Sequence, residues 1–248
     1  MQELKRNLSN NDTDNIKIAI SGKCGSGKDY TSDFIINMFT NTKKLALAKP
    51  LKEYVSTIGE IDKELLNSDF GKKQIAKIKN EFKFEDHEKD WKEIFGDRID
   101  LKDLKQLTDK SLTYFDDKRT WGKILQCVGT EVFRKQYGDN IWIEVWENRV
   151  NKLKNCGVIC TDLRFKNETN YLKKMGFQLW RINATEENRK NRIETERDFN
   201  HISETDLDDY KEFDIIIENN DSLKEFEQKI IDIIEPSQIP LKKLTPEK

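Results

Sequence analysis

The sequence predicts an α/β protein: a doubly wound parallel sheet of about five strands, carrying a helical insertion and a basic lid. Three observations predict it. Short apolar runs begin near residues 16, 44, 157, 177 and 213 and alternate with helical patterns, the order that right-handed crossover units require. Between the first run and the first helical pattern lies Gly22-Lys23-Cys24-Gly25-Ser26-Gly27-Lys28, which satisfies the frame G-x-x-x-x-G-K. Residues 61–118 are rich in lysine and acids, with apolar residues at helical intervals (Ile75, Ile78, Phe82, then Leu101, Leu104, Leu107), so they read as packed helices rather than a second sheet.

Composition narrows the class. Charged residues (36%) slightly outnumber hydrophobic ones (35%), so the core is modest and the outer helix faces are strongly solvated. A formal charge of −2 gives no bulk reason to expect duplex nucleic acid or an anionic membrane as partner. Cysteines 24, 127, 156 and 160 form no C-x-x-C pair and only two histidines accompany them, so free thiols in a reducing compartment are expected rather than zinc or disulfides. No apolar stretch is long enough for a bilayer and no secretory leader is seen, which predicts a soluble cytoplasmic protein. The expected organisation is a disordered tail over 1–15, one domain over 16–234 with the insertion at 61–118 and a lid at 186–200, and a polar tail over 235–248.

Taken in order, Ile16, Ile18 and Ile20 make a strand buried on both faces, and Phe34, Ile35, Met38 and Phe39 mark the helix after the glycine loop. Glycines 22, 25 and 27 let the backbone turn tightly, so successive N–H groups and the positive helix end can face one anion. Lys28 adds a point charge. Asp29 follows where Ser or Thr is usual. A carboxylate beside phosphates is repulsive without a cation between them, so Asp29 is expected to help hold Mg²⁺, with Thr31 or Ser32 supplying a nearby hydroxyl.

Lys44 to Ala48 reads as a second strand ended by Pro50, with a helix from Leu51 through Val55 and Ile58, which puts Lys52 near a strand's carboxyl end. Arg98, beside Asp97, reads as an anion contact or a surface ion pair. Trp121, Ile124, Leu125 and Val128 form one helical face; Gly129-Thr130 interrupts it, exposing N–H groups and a hydroxyl, before Val132 and Phe133 resume. Trp142 and Trp146 follow at helical spacing, as core or as a ligand platform.

The strand from Gly157 to Thr161 ends in Asp162 and Arg164, an acid and an arginine at a strand tip where α/β ligand sites form. Arg164 has the planar fork for a phosphate, and Glu168, four residues on, pairs with it if this stretch is helical. After the strand from Phe177 to Ile182, Arg189, Lys190, Arg192 and Arg197 form either a solvated helix or a mobile lid bringing arginines to a phosphoryl group. His201-Ile202-Ser203-Glu204 reads as a helix cap, and Phe213 to Glu218 as the last strand. Asn219-Asn220-Asp221-Ser222 leads into a helix through Ile234.

The stretches GKCGSGKD, LALAKPLKE, LQCVGTEVFR with the later Trp142, TDLRFKNE, HISE and DIIIENNDSL together resemble the phage and viral deoxynucleoside monophosphate kinases, a branch of the P-loop nucleotide kinases. The resemblance runs from Lys17 to about Ile234. It implies a P-loop kinase-like fold and transfer of the ATP γ-phosphoryl group to a deoxynucleoside monophosphate with Mg²⁺. Gly22, Gly25, Ser26, Gly27, Lys28, Asp29 and Thr31 would then serve ATP, Asp29 the metal, and Lys52, Arg98, Gly129, Thr130, Trp142, Arg164 and Glu168 the monophosphate. Lys28, Asp162, Arg164, Arg189 and Arg192 would carry the transfer.

Three positions depart from the family's usual pattern: Tyr30 precedes Thr31, Gly122 replaces an arginine, and Asn-Asn-Asp-Ser stands where Asn-Asp-Gly-Ser is common. The partner so implied is a nucleoside monophosphate, in the host cytoplasm if the source is a phage or virus; charge and hydropathy point to no stable nucleic acid and no membrane, and the sequence leaves open whether the chain is a monomer or a homodimer. Phosphomevalonate kinase of the animal type looks similar in GK-x-x-SGKD and P-L-K-E, but GTEVFR and HISE favour the nucleotide kinases. A catalytically silent nucleotide-binding protein is the alternative from another class. A GTPase switch is disfavoured, because N-K-x-D and D-x-x-G are both absent.

Overall fold

Ile18, Ala19 and Ile20 are all buried, as a strand covered on both faces must be, and they form the centre of β1 (Lys17–Ser21). The computed structural model describes residues 16–39, 41–76, 82–115, 118–193 and 202–234. The expected tails at 1–15 and 235–248, Ile78, the 194–200 part of the lid with Arg197, His201 and the Ser203 side chain lie outside the described residues. The rest falls into two compact units, one from 1–46 and 154–248, the other from 47–153.

The first unit continues with α1 (Lys28–Met38) and β2 (Thr42–Lys44). The chain then makes the second unit: α2 (Lys49–Ile58), α3 (Lys63–Asn67), α4 (Asp69–Lys73), a 3₁₀ turn at Phe84–His87, α5 (Glu88–Phe95), α6 (Leu101–Leu112), α7 (Trp121–Gln126), a π-helical segment Cys127–Arg134, α8 (Lys135–Tyr137) and α9 (Ile141–Lys152). It returns to the first unit with β3 (Gly157–Leu163), α10 (Lys166–Lys174), β4 (Gln178–Asn183), α11 (Glu186–Asn191), α12 (Ile202–Thr205), β5 (Ile215–Glu218) and α13 (Leu223–Ile234).

The strands form one all-parallel sheet in the order β2-β3-β1-β4-β5, with helices on both faces. β1 lies between β3 and β4, and Ser21 pairs with Leu163, so the segments leaving β1 and β3 start side by side at the carboxyl edge. Open α/β sheets bind ligands at that edge. One face is closed by Ile35 of α1, by Phe39 just after it, and by Phe226 and Ile230 of α13, packed on Ile18, Ile20, Trp180 and Ile182.

The second unit has its own aromatic core. Phe133 stacks parallel to Phe95 at 5.6 Å and lies 4.7 Å from Trp142, with Tyr54 and Trp91 alongside. Tyr54 is fully buried, and its hydroxyl is satisfied by Thr108 (2.9 Å) and Ser111 (3.3 Å); burial pushes its pKa well up.

Two expectations are corrected. The second strand is Thr42–Lys44 rather than 44–48: the Leu45 N–H still bonds to the Ile159 carbonyl (2.9 Å), but Leu47 and Ala48 already turn and Lys49 opens the helix. Pro50 sits in that helix's first turn, where its missing N–H costs nothing, so it begins an element rather than ending one. Gly129-Thr130 does not interrupt the helix. The chain stays helical from Trp121 to Tyr137, with Gly129 and Thr130 inside the π segment, because Val128, Val132 and Phe133 are all buried and the core holds the turns together. Among the described residues, no helix is long and apolar enough to cross a membrane.

Candidate active site

The loop after β1 is built by close approach. A Cβ on Gly22 would lie 2.4 Å from Ser26 Oγ and 2.7 Å from the Ile182 carbonyl, so only glycine lets the loop fold back over the strand end. Gly27, with φ of +102°, turns the chain into α1, and the Thr31 N–H and hydroxyl both donate to its carbonyl at 2.9 Å. Thr31 is therefore buried behind the loop. Asn219 Nδ2 donates to the Ser26 carbonyl (2.8 Å), while Arg192 donates to the carbonyls of Gly25 (3.4 Å) and Asn219 (3.1 Å). With carbonyls of Gly25, Ser26 and Gly27 engaged, the loop offers an anion its N–H groups and the positive end of α1. Ser26 Oγ is buried with no hydrogen-bond partner among the described residues. A buried hydroxyl of that kind calls for a polar partner, a water or a ligand oxygen.

Lys28 opens α1 with its side chain 13% exposed, and its Nζ lies 4.0 Å from the largely exposed Asp29 carboxylate. Lys44 faces the same carboxylate at 3.6 Å and Asp33 at 3.1 Å. Tyr30 is half-exposed on the next turn and donates to Glu227, which raises its pKa to about 12. α11 abuts the loop: the carbonyl of the buried Arg189 lies 2.7 Å from where a Cβ on Gly25 would be.

The segment leaving β3 adds an arginine to the loop. Arg164 Nη1 donates to Glu204 Oε1 at 2.7 Å, and the other oxygen of Glu204 accepts the loop's Cys24 N–H at 2.9 Å. Glu168 is buried and accepts the backbone N–H of Arg164 (2.9 Å) and of Phe165 (3.0 Å), closing the first turn of α10. Asp162 is half-buried and accepts from the Cys160 thiol at 3.5 Å; burial pushes that thiol well up, so it stays protonated.

In the second unit, Trp142 is 6% exposed and donates through Nε1 to the Gly129 carbonyl (3.1 Å). A Cβ on Gly129 would meet Leu51 Cδ2 at 2.8 Å, whereas Thr130 is exposed. Lys52 donates to Asn67 at 3.0 Å, and Arg98 pairs with Glu144.

Residues of the sequence reading thus gather in two sets: Gly22 to Asp29 with Arg164, Arg189 and Arg192 in the first unit, and Gly129 with Trp142 in the second. Sequence reasoning placed Glu204 only in a helix cap and named none of Glu204, Asn219, Asp208 and Arg181 as a site residue. Asn219 and Glu204 lie in the motifs Asn-Asn-Asp-Ser and His-Ile-Ser-Glu, and Arg181 was signalled by a lone charge inside the apolar run of β4.

Comparison with known proteins gives the same direction as the geometry. A family model described as deoxynucleotide monophosphate kinase matches residues 60–230. The "Putative deoxynucleotide monophosphate kinase" of Acanthamoeba polyphaga mimivirus is 32% identical over 125 residues, covering 46% of this chain and 60% of that protein. The deoxynucleoside-5'-monophosphate kinase of Escherichia phage T5 is 27% identical over 183 residues, covering 64% of this chain and 72% of the phage protein. With more than half of its length matched by the family model, the chain belongs to the deoxynucleotide monophosphate kinase family.

Proposed function

We propose that the protein transfers the γ-phosphoryl group of ATP to a deoxynucleoside monophosphate, supplying diphosphates for DNA synthesis. A kinase of this family takes a nucleotide substrate; ATP as donor and a deoxynucleoside monophosphate as acceptor are the finer reading. The observation that carries it is the phosphate loop, with the buried, unpartnered Ser26 hydroxyl, linked through one carboxylate to Arg164 on the neighbouring strand end.

An oxygen of the acceptor phosphate attacks the γ-phosphorus and the bond to the β–γ bridging oxygen breaks, leaving ADP. The acceptor is already anionic, with a second pKa near ~6, so no strong general base is needed. What the reaction needs is charge neutralisation and in-line placement. Lys28 and the loop N–H groups serve the β- and γ-phosphates, and the fork of Arg164 takes the acceptor phosphate. Arg192 steadies the loop through its two carbonyl contacts, and Arg189 stands beside Gly25. A role for Asp162, in orienting the metal's waters or the arginine, rests on the motif resemblance.

Asp29, an exposed carboxylate beside the loop, has the hard oxygen chemistry that suits Mg²⁺. Among the described residues no group of three or more His, Cys, Asp or Glu could cage a metal, so phosphate and water would complete the shell. Bound Mg²⁺ would neutralise phosphate charge, and Asp29 would exchange Lys44 for it. Recognition of the monophosphate by Lys52, Arg98, Gly129, Thr130, Trp142 and Glu168 rests on the motif resemblance. The insertion at 61–118 and the lid at 186–200 rest on composition and helical periodicity, and a host-cytoplasm location is supported by the viral and phage sources of the relatives.

The test is turnover of ATP and Mg²⁺ with dAMP, dGMP, dCMP and dTMP, their ribose counterparts and phosphomevalonate. Formation of a deoxynucleoside diphosphate is expected. Turnover of phosphomevalonate alone, or tight ATP binding with no turnover of any acceptor, would overturn the reading.

A further inference from the structure

Four acids, one in α12 and three just after it, tie their segment to the carboxyl edge of the sheet. Asp206 accepts the Lys166 N–H at 2.8 Å, and Asp209 takes the Lys166 ammonium. Asp208 bridges Lys23 of the phosphate loop (2.6 Å) and Arg181 of β4 (3.1 Å), whose other end donates to Ser21 at 2.9 Å. Leu207 is buried between them in sequence. These contacts deliver the fourth acid, Glu204, with its side chain only 10% exposed, to Arg164 on one side and Cys24 N–H on the other.

Arg164 is consequently held at main chain and head group alike. Glu168 fixes its main chain, and Glu204 fixes its head group. We propose that Glu204 is a positioning residue of the transfer site: it sets the plane of the Arg164 guanidinium and couples that plane to the phosphate loop through Cys24. A guanidinium engages phosphate with two parallel bonds only when its plane is aligned, and a displacement of about 1 Å in such a group can cost about 100-fold in rate. Burial acts to raise the Glu204 pKa, but the Arg164 charge, the Cys24 N–H and the Lys28 charge outweigh it, so the carboxyl lies below the usual glutamate range and is anionic at neutral pH.

The inference rests on the kinase reading, and its test separates the two. Glu204→Gln should lower kcat/KM for the monophosphate about 10- to 100-fold while the KM for ATP moves by about threefold or less, and Glu204→Asp should recover part of the loss. In an Arg164→Ala background the same Glu204→Gln change should have less than about a threefold effect, since the group it positions is gone. An equal loss in both backgrounds would mean a general structural role and would overturn the proposal. A second readout needs no turnover: in ¹⁵N-arginine-labelled protein without nucleotide, the Arg164 side-chain signal, assigned with Arg164→Ala, should shift or sharpen by averaging in Glu204→Gln. An unchanged signal sinks the inference. A changed signal in a protein that phosphorylates no deoxynucleotide supports Glu204 as Arg164's anchor and overturns the kinase reading instead.

Discussion

Lys28 and Arg164 differ in how much of the fold depends on them. The Lys28 Nζ has a 4.0 Å ion contact with an exposed carboxylate, a pairing that contributes little to stability. Lys28→Ala should therefore leave the melting temperature nearly unchanged while cutting kcat/KM about 100-fold or more, through loss of phosphate charge, as steady-state kinetics and calorimetry would read. Arg164→Lys keeps the charge and removes the planar fork, so the KM for the acceptor should rise about 10-fold with the KM for ATP little changed. Unaltered kinetics for both substrates would take Arg164 out of the acceptor site. Glu204 adds a pH dependence with a definite sign. Its carboxyl is depressed in the folded protein, so its contribution is present above the ordinary glutamate value and is lost as pH falls through the lower folded one. The gap in melting temperature between wild type and Glu204→Gln should thus shrink as pH falls below the ordinary glutamate value, and a gap that widened would contradict the pairing.

Sequence spacing showed which residues could be neighbours, but not which atoms would meet. Glu168 stands four residues after Arg164 and accepts its backbone N–H, a main-chain contact that side-chain spacing does not specify. The guanidinium goes to Glu204, forty positions away, which no local periodicity can indicate.

At the level of elements, apolar runs sufficed to locate β1, β3 and β4, because a strand buried on both faces leaves a continuous apolar signature, whereas β2, with Lys43 and Lys44 exposed, leaves none. The helix around Gly129 was harder. A Gly-Thr pair has low helix propensity, and tertiary packing overrode it: Val128, Val132 and Phe133 pay for the weak turn by burial. The widened π segment has a measurable dependence on Trp142. Trp142→Phe keeps an aromatic ring and removes the Nε1 donor to the Gly129 carbonyl, leaving a buried acceptor short of a partner. The expected loss is about 1–3 kcal/mol by denaturant unfolding, and a change below about 0.5 kcal/mol would show that the bond contributes little.

For the whole molecule, near-balanced charge matters more than any cluster. With 44 basic and 46 acidic residues, the chain should show no salt-dependent retention on duplex DNA, and binding that fell steeply with added salt would contradict this. Saturation with ATP and Mg²⁺ at about 100 times Kd should stabilise the folded state by about 2.7 kcal/mol, read as a rise in melting temperature.

Strand order was not legible from pattern, since periodicity marks a strand without naming its neighbours. That order has a consequence for synthesis. β3 lies between β1 and β2 in the sheet but follows them in the chain, after the whole of the 47–153 unit. A ribosome emits β1 and β2 first and reaches β3 roughly 5–20 s later at ordinary elongation rates. During that interval two strands wait without the partner that joins them, while every residue of the helical unit has been translated. The nascent chain therefore meets its β1–β3 and β2–β3 pairing late, and the carboxyl edge beside the loop after β1 is assembled only after the helices have had time to fold.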